Sequence, residues 1–235
     1  MTNLEKAPAV ELLTWAMASF GRRFGIVTSF QKEGMVLIDM AVRIDSRVRV
    51  ITLDTGRLPQ ETFQMIETVR QRYGIEVEVV CPDADEVSRM VTGHGPNLFR
   101  QSEELRHLCC EVRKTRPLER KLTEFGAWAT GLRRGQSPDR FGIGKIEETG
   151  GKIKLNPLAD WTGADMEEYY RLHDLPLHPL YAAGYASIGC APCSRPIEAG
   201  EDSRAGRWWW ESGGKKECGI HFLPDGSVRR LDSQS

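Results

Sequence analysis

The chain has 235 residues, with 40% hydrophobic and 28% charged side chains and a formal net charge of −1. That balance fits one soluble α/β domain, or one domain plus an ordered tail, and gives no global pull toward nucleic acid or an anionic membrane. No apolar run approaches the ~20 residues of a membrane span, and Met1 to Val10 lacks the basic start and apolar stretch of a secretory signal, so cytoplasmic residence is expected.

In chain order, a helix is expected over 9–20, with Val10, Leu13, Ala16 and Met17 on one face. A buried strand over 25–30 leads into a polar loop, followed by a helix over 35–43 and a second strand over 48–53. A helix over 61–73 follows the turn at Arg57-Leu58-Pro59, and a short β-branched strand covers 75–80. Cys81, closing that apolar run, reads as a buried thiol. A long helix is expected over 103–122, a strand over 127–131, a further strand at 153–155, and a helix over 162–173 capped by Thr162. Alternation of strand and helix predicts a parallel sheet with right-handed crossovers, sandwiched by helices. Past about Pro176 the chain turns rich in Gly, Pro and small residues. The expected division is an α/β nucleotide-binding domain over 1–183 and an irregular lobe with a C-terminal tail over 184–235.

Ligands of open parallel sheets gather beyond the carboxyl ends of the strands. Three segments there carry suitable chemistry. Thr28-Ser29-Phe30-Gln31-Lys32-Glu33-Gly34 offers hydroxyls and a helix N-terminus, which suit phosphate or sulfate oxygens. Leu53-Asp54-Thr55-Gly56 offers a carboxylate that could orient a ribose or a loop, and Thr130-Gly131-Leu132-Arg133-Arg134 a glycine and two cations. Neither a Walker A sequence nor a G-x-G-x-x-G fingerprint is present. Taken together the three segments favour a nucleotide-type anion. Local cationic clusters at Arg113, Lys114 and Arg116, at Arg204 and Arg207, and at Lys215 and Lys216 could meet it.

Six cysteines sit at 81, 109, 110, 190, 193 and 218, and in a reducing compartment metal or redox chemistry is a better reading than a disulfide framework. Cys109-Cys110 and Cys190-Ala191-Pro192-Cys193 make a Cys₄ set suited to tetrahedral zinc or to a [4Fe–4S] cluster. A contiguous pair reaches one ion only with awkward backbone geometry, which favours the larger cluster while leaving zinc open. Cys218 differs: it lies in Lys215-Lys216-Glu217-Cys218-Gly219-Ile220-His221, where Lys and His favour a reactive thiolate.

These segments together resemble the phosphosulfate reductases of sulfate assimilation. Glu217-Cys218-Gly219-Ile220-His221 is similar to that family's E-C-G-L-H signature, with Ile in place of Leu. The four-cysteine set is similar to the cluster motif of its branch acting on adenosine 5′-phosphosulfate (APS). The resemblance implies an adenine-nucleotide α-hydrolase-like fold and a resident [4Fe–4S] cluster on Cys109, Cys110, Cys190 and Cys193. It also implies that Cys218 attacks the sulfur of APS, expels AMP, and is relieved of sulfite by thioredoxin or glutaredoxin. Thr28, Ser29, Asp54, Lys114, Arg133, Arg140, Arg204, Arg207 and His221 would bind substrate. A homo-oligomer is left open. Three rivals remain at this point: an enzyme that uses or tolerates the 3′-phosphorylated substrate (PAPS), an ATP-pyrophosphatase-type sulfurtransferase, whose S-G-G-x-D-S loop this sequence lacks, and a non-enzymatic iron–sulfur or zinc-binding module for nucleic acid, which the near-neutral charge weakens.

Overall fold

The computed structural model describes residues 4–137 and 140–211. Its centre is a six-stranded sheet in the order β3-β2-β1-β4-β6-β5, where β1 is Phe24–Val27, β2 Arg49–Leu53, β3 Val77–Val80, β4 Ala127–Ala129, β5 Ile146–Thr149 and β6 Lys152–Leu155. All neighbours run parallel except β5 and β6, which form an antiparallel hairpin. Sequence periodicity places β1, β2, β3, β4 and β6 to within a few residues. It misses β5, whose Ile-Glu-Glu-Thr is too polar to read as a strand.

Side chains alternate across the sheet and seed two cores. On one face Phe24, Ile26 and Val50 pack with α1 (Ala9–Phe20), α2 (Lys32–Ile44), α3 (Gln60–Tyr73) and α7 (Gly163–His173). α2 is central there, with an unbroken buried run from Gly34 to Ala41. On the other face Ile51 and Trp128 pack with Leu118 and Leu122 of α6 (Arg116–Leu122). The cap at Thr162 forms as expected: its hydroxyl accepts from Asp165 N, and the Asp165 carboxylate accepts from Thr162 N.

Three expectations are corrected. The first strand stops at Val27, because Thr28 turns the chain and Phe30 takes a left-handed φ of 56°. The long helix is α5 (Glu103–Cys110) and α6 joined through a π turn, Glu111–Thr115. Cys81 is exposed, because β3 is an edge strand and the chain leaves the sheet immediately after Val80. An unforeseen helix, α4 (Ala84–His94), follows, capped by the Asp83 carboxylate, which accepts from Glu86 N. α4, α5 and the irregular 184–211 segment enclose a third apolar cluster. Among the described residues no helix is long and apolar enough to cross a membrane.

Candidate active site at the carboxyl ends of the strands

Strand order reverses between β1 and β4, the position at which open α/β sheets leave a crevice. On one side of it, the Thr28 hydroxyl accepts from Phe30 N at 2.9 Å, fixing a tight turn into α2. Gly34 faces that turn; a Cβ there would collide with Thr28 Oγ1, so the close approach requires glycine. Ser29 is exposed, and its hydroxyl accepts from Gln31 Nε2 at 2.9 Å. Next along the edge, Asp54 accepts from Gly56 N at 2.8 Å and so braces its own turn. On the β4 side, Arg133 donates to Glu33 at 2.9 Å and to the Trp161 carbonyl at 3.2 Å. Its charge is thus matched within the edge itself. Arg140 pairs with Gln136 Oε1 in the following loop.

The cysteine pairs, 80 positions apart between Cys110 and Cys190, come together over the end of β2. Cys109, Cys190 and Cys193 are buried in one apolar cluster with Met90, Leu98, Phe99, Val112 and Trp208. Cys110, half-buried, is the last residue of α5. Two strand-end loops grip the second pair. The Gln31 amide oxygen accepts from Ile188 N at 2.9 Å, and the Arg57 carbonyl accepts from Ala191 N at 2.8 Å. Thr55 Oγ1 lies 3.3 Å from Cys190 Sγ. Among the described residues no three His, Cys, Asp or Glu side chains are close enough to grip one metal ion; the thiols share an apolar cluster and not a single coordination point.

Charge distribution around the thiols is uneven. Burial pushes the Cys193 thiol up to about 12, with Cys190 and Cys109 adding to the rise and Lys114 and Arg207 opposing it. Burial raises Cys109 too, with Arg113, Lys114 and Arg57 opposing. Arg113 and Arg207 are both buried. Arg113 donates to the Thr55 carbonyl at 2.6 Å and Arg207 to the Cys193 carbonyl at 3.1 Å. Among the described residues Arg113 Nε and Arg207 Nη2 have no hydrogen-bond partner, and neither side chain forms an ion pair with a described carboxylate. Arg207 also passes through the space a Cβ on Gly189 would fill. Two buried cations unmatched by any described carboxylate suit an anion beside them, because an unpaired buried charge is costly.

Comparison with known proteins bears on what that anion is. A family model described as the phosphoadenosine phosphosulfate reductase domain matches residues 24–196. An adenosine 5′-phosphosulfate reductase of Burkholderia cepacia is 48% identical over 223 residues, covering 93% of this chain and 89% of its own. The chain belongs to the phosphosulfate reductase family. Another member, an adenosine 5′-phosphosulfate reductase of Allochromatium vinosum, is 44% identical over 218 residues, covering 92% and 85%. A solved phosphoadenylyl-sulfate (PAPS) reductase of Candida auris superposes with a TM-score of 0.69 at 26% identity, over 81% of this chain and 92% of that one. The fold is therefore the helix-sandwiched, adenine-nucleotide α-hydrolase-like sheet expected from the sequence.

Within this reductase fold the expected residues divide into groups. Thr28, Ser29 and Asp54 lie on the strand-end loops, and Lys114 and Arg207 lie beside the thiols. Arg204, half-buried, stands at the head of the turn that delivers Arg207, whose N–H bonds the Arg204 carbonyl at 2.9 Å. Arg133 lies on the β4 side of the edge and pairs with Glu33. Cys218 and His221 lie outside the described residues. The same neighbourhood holds residues that sequence reasoning left unnamed as site residues: Gln31, Thr55 and Arg57 contact the Cys190 segment, and Arg106 lies three positions before Cys109. The first three sit in loops already marked by motif. Arg106 carries no sequence signal of its own.

Proposed function

We propose that the chain reduces APS to sulfite and AMP in assimilatory sulfate reduction, with Cys218 as the nucleophile. The Cys218 thiolate attacks the sulfur of APS; the S–O bond to the phosphate breaks and AMP leaves with the electron pair. S-sulfocysteine remains. A dithiol protein of the thioredoxin or glutaredoxin type then attacks Cys218 Sγ, releasing sulfite, and its second thiol closes a disulfide that carries the oxidation away. Thr28, Ser29, Asp54, Lys114, Arg133, Arg140, Arg204 and Arg207 hold the anionic substrate at the strand ends, and His221 stands near the sulfate.

The observation that carries this reading is the meeting of three buried cysteines, Cys109, Cys190 and Cys193, with Cys110 next to the first of them and two buried arginines, Arg113 and Arg207, that pair with no described carboxylate, over the strand ends of a reductase fold. In the same reading Cys109, Cys110, Cys190 and Cys193 hold a [4Fe–4S] cluster. Three buried cysteines with Cys110 beside them, near guanidiniums that no described carboxylate matches, would make a fitting donor set, and the adjacent cysteine pair suits separated irons better than one zinc. When bound, the cluster shapes the electrostatic field at the site. Residues 1–183 serve as the nucleotide-binding domain and 184–235 as the lobe and catalytic tail, working in a reducing cytoplasm. APS is preferred to PAPS here because the relatives above 40% identity carry the APS name.

The test is anaerobic turnover of APS and PAPS by wild type and Cys218→Ser with a dithiol reductant, following sulfite and AMP. Sulfite from APS is expected from wild type alone, at least ~1,000-fold above the variant, which has no thiolate to attack. Equal sulfite from Cys218→Ser would overturn the role of Cys218, and faster release from PAPS would overturn the substrate.

A further inference from the structure

Arg106 is fully buried in α5, one turn before the cysteine pair. Its Nε donates to Glu211 Oε1 at 2.6 Å, and its guanidinium lies 4.5 Å from the ring centre of Trp208. A second cation, Arg207, lies 4.7 Å from the same ring, so a fully buried indole is held by two guanidiniums. Trp208 takes a left-handed φ of 42°, unusual for a bulky residue. A turn closed by Glu211 N to the Trp208 carbonyl at 3.0 Å completes the arrangement. Glu211 is the last described residue before Cys218, seven positions on, and seven residues span at most about 25 Å from Cα to Cα.

We propose that Arg106 is a positioning residue for the reductase reaction: by clamping Glu211 and Trp208 onto α5 it fixes the point from which the chain runs to Cys218. The proposal rests on the nucleophilic role given to Cys218. Arg207 shares the Trp208 ring with Arg106 but is also held through the Cys193 carbonyl, so the Arg106–Glu211 bond is the part of the clamp that bears on the run to Cys218 and not on the substrate-binding guanidinium. A tethered nucleophile reacts at an effective concentration set by its anchor, and loss of the anchor lowers the rate of the chemical step.

The experiment uses the full chain in Arg106→Met, Glu211→Ala and doubly substituted forms. Steady-state APS turnover, thermal midpoint and visible absorption are measured on each, with rates taken well below the lowest midpoint. Glu211→Ala, which leaves Arg106 paired with Glu103 and stacked on Trp208, is expected to lower kcat about 10-fold or more, with KM and absorption unchanged and a lower midpoint because a buried charge loses one partner. The double variant is expected to be no slower than the slower single one, because both remove the same contact. Full kcat in Glu211→Ala would overturn the proposal. So would multiplicative losses in the double variant, or a kcat that returns to the wild-type value on cooling away from the midpoint. If Arg106→Met does not fold, Glu211→Ala decides alone. Failure of these outcomes while Cys218→Ser remains inactive refutes the clamp only; an active Cys218→Ser refutes the reading beneath it.

Discussion

A single methyl group at position 34 tests how tightly the first strand-end loop is built. The Gly34 Cα faces the Thr28 hydroxyl so closely that Gly34→Ala must push the loop or the helix apart. We expect a loss of about 1–3 kcal/mol of stability and at least ~10-fold weaker APS binding, measured by denaturant unfolding and by equilibrium binding to the Cys218→Ser protein. Pairing it with Thr28→Ala removes the nearest clashing atom and is expected to recover part of the stability. Readability differs sharply among residues of this kind. The cysteines are legible because their chemistry is rare and their spacing is covalent. Thr55, Gln31 and Arg106 are not, because each gains its role from a partner 135, 157 or 105 positions away, and an isolated threonine, glutamine or arginine carries no trace of that partner.

Among the elements, α2 is held by a charged residue where its pattern calls for an apolar one. Asp39 is buried, accepts from Arg43 at 2.7 Å, and accepts from the hydroxyls of Tyr73 at 3.1 Å and Tyr169 at 2.8 Å. It therefore ties α2 to α3 and α7. Asp39→Ala leaves two half-buried hydroxyls and the Arg43 guanidinium without their acceptor and is expected to cost about 2–3 kcal/mol; Asp39→Asn, which can still accept, should cost less. Thermal or denaturant unfolding of both variants checks this. The same carboxylate raises the Tyr73 hydroxyl to about 12, after burial, so the pair stays a neutral donor on a charged acceptor throughout the physiological range. Helix positions were legible from periodicity because α1, α2 and α3 each bury one face or more. The π turn after Cys110 was not, because its extra residue leaves the hydrophobic spacing of 103–122 almost intact. It is nonetheless the element that carries Arg113 and Lys114 next to the thiols.

For the whole molecule, chemistry and stability are kept at opposite ends of the sheet. At the amino end of β2, Arg49 bonds Glu78 at 2.5 Å and Glu124 at 2.5 Å, with Lys121 also on Glu78 at 2.8 Å. These partners, Arg49 first, pull the Glu78 carboxyl from 4.5 down to about 2. A folded pKa below the unfolded value means that the stabilisation is present above pH 4.5 and is lost as pH falls through about 2. Glu78→Gln is therefore expected to be about 1–2 kcal/mol less stable at pH 7, after allowance for solvent screening, with the gap to wild type closing between pH 4.5 and 2. Its APS turnover at 25 °C should be unchanged, because the site lies at the other end. Acid unfolding curves and steady-state rates test the two halves of this statement separately. Parallel topology was legible from the alternation of strands and helices, whereas the β5–β6 hairpin, too polar to announce itself, was not.

The distance in sequence between Cys110 and Cys190 has a kinetic meaning. Closing a loop of 80 residues in an unordered chain costs about 4 kcal/mol of entropy before any bond rewards it. Gln31, Thr55 and Arg57, which hold the second pair, stand at the ends of β1 and β2. Assembly of the thiol set is therefore expected to follow pairing of those strands, and pulsed thiol labelling during refolding, with Cys109 and Cys190 protected no earlier than the sheet amides, checks it.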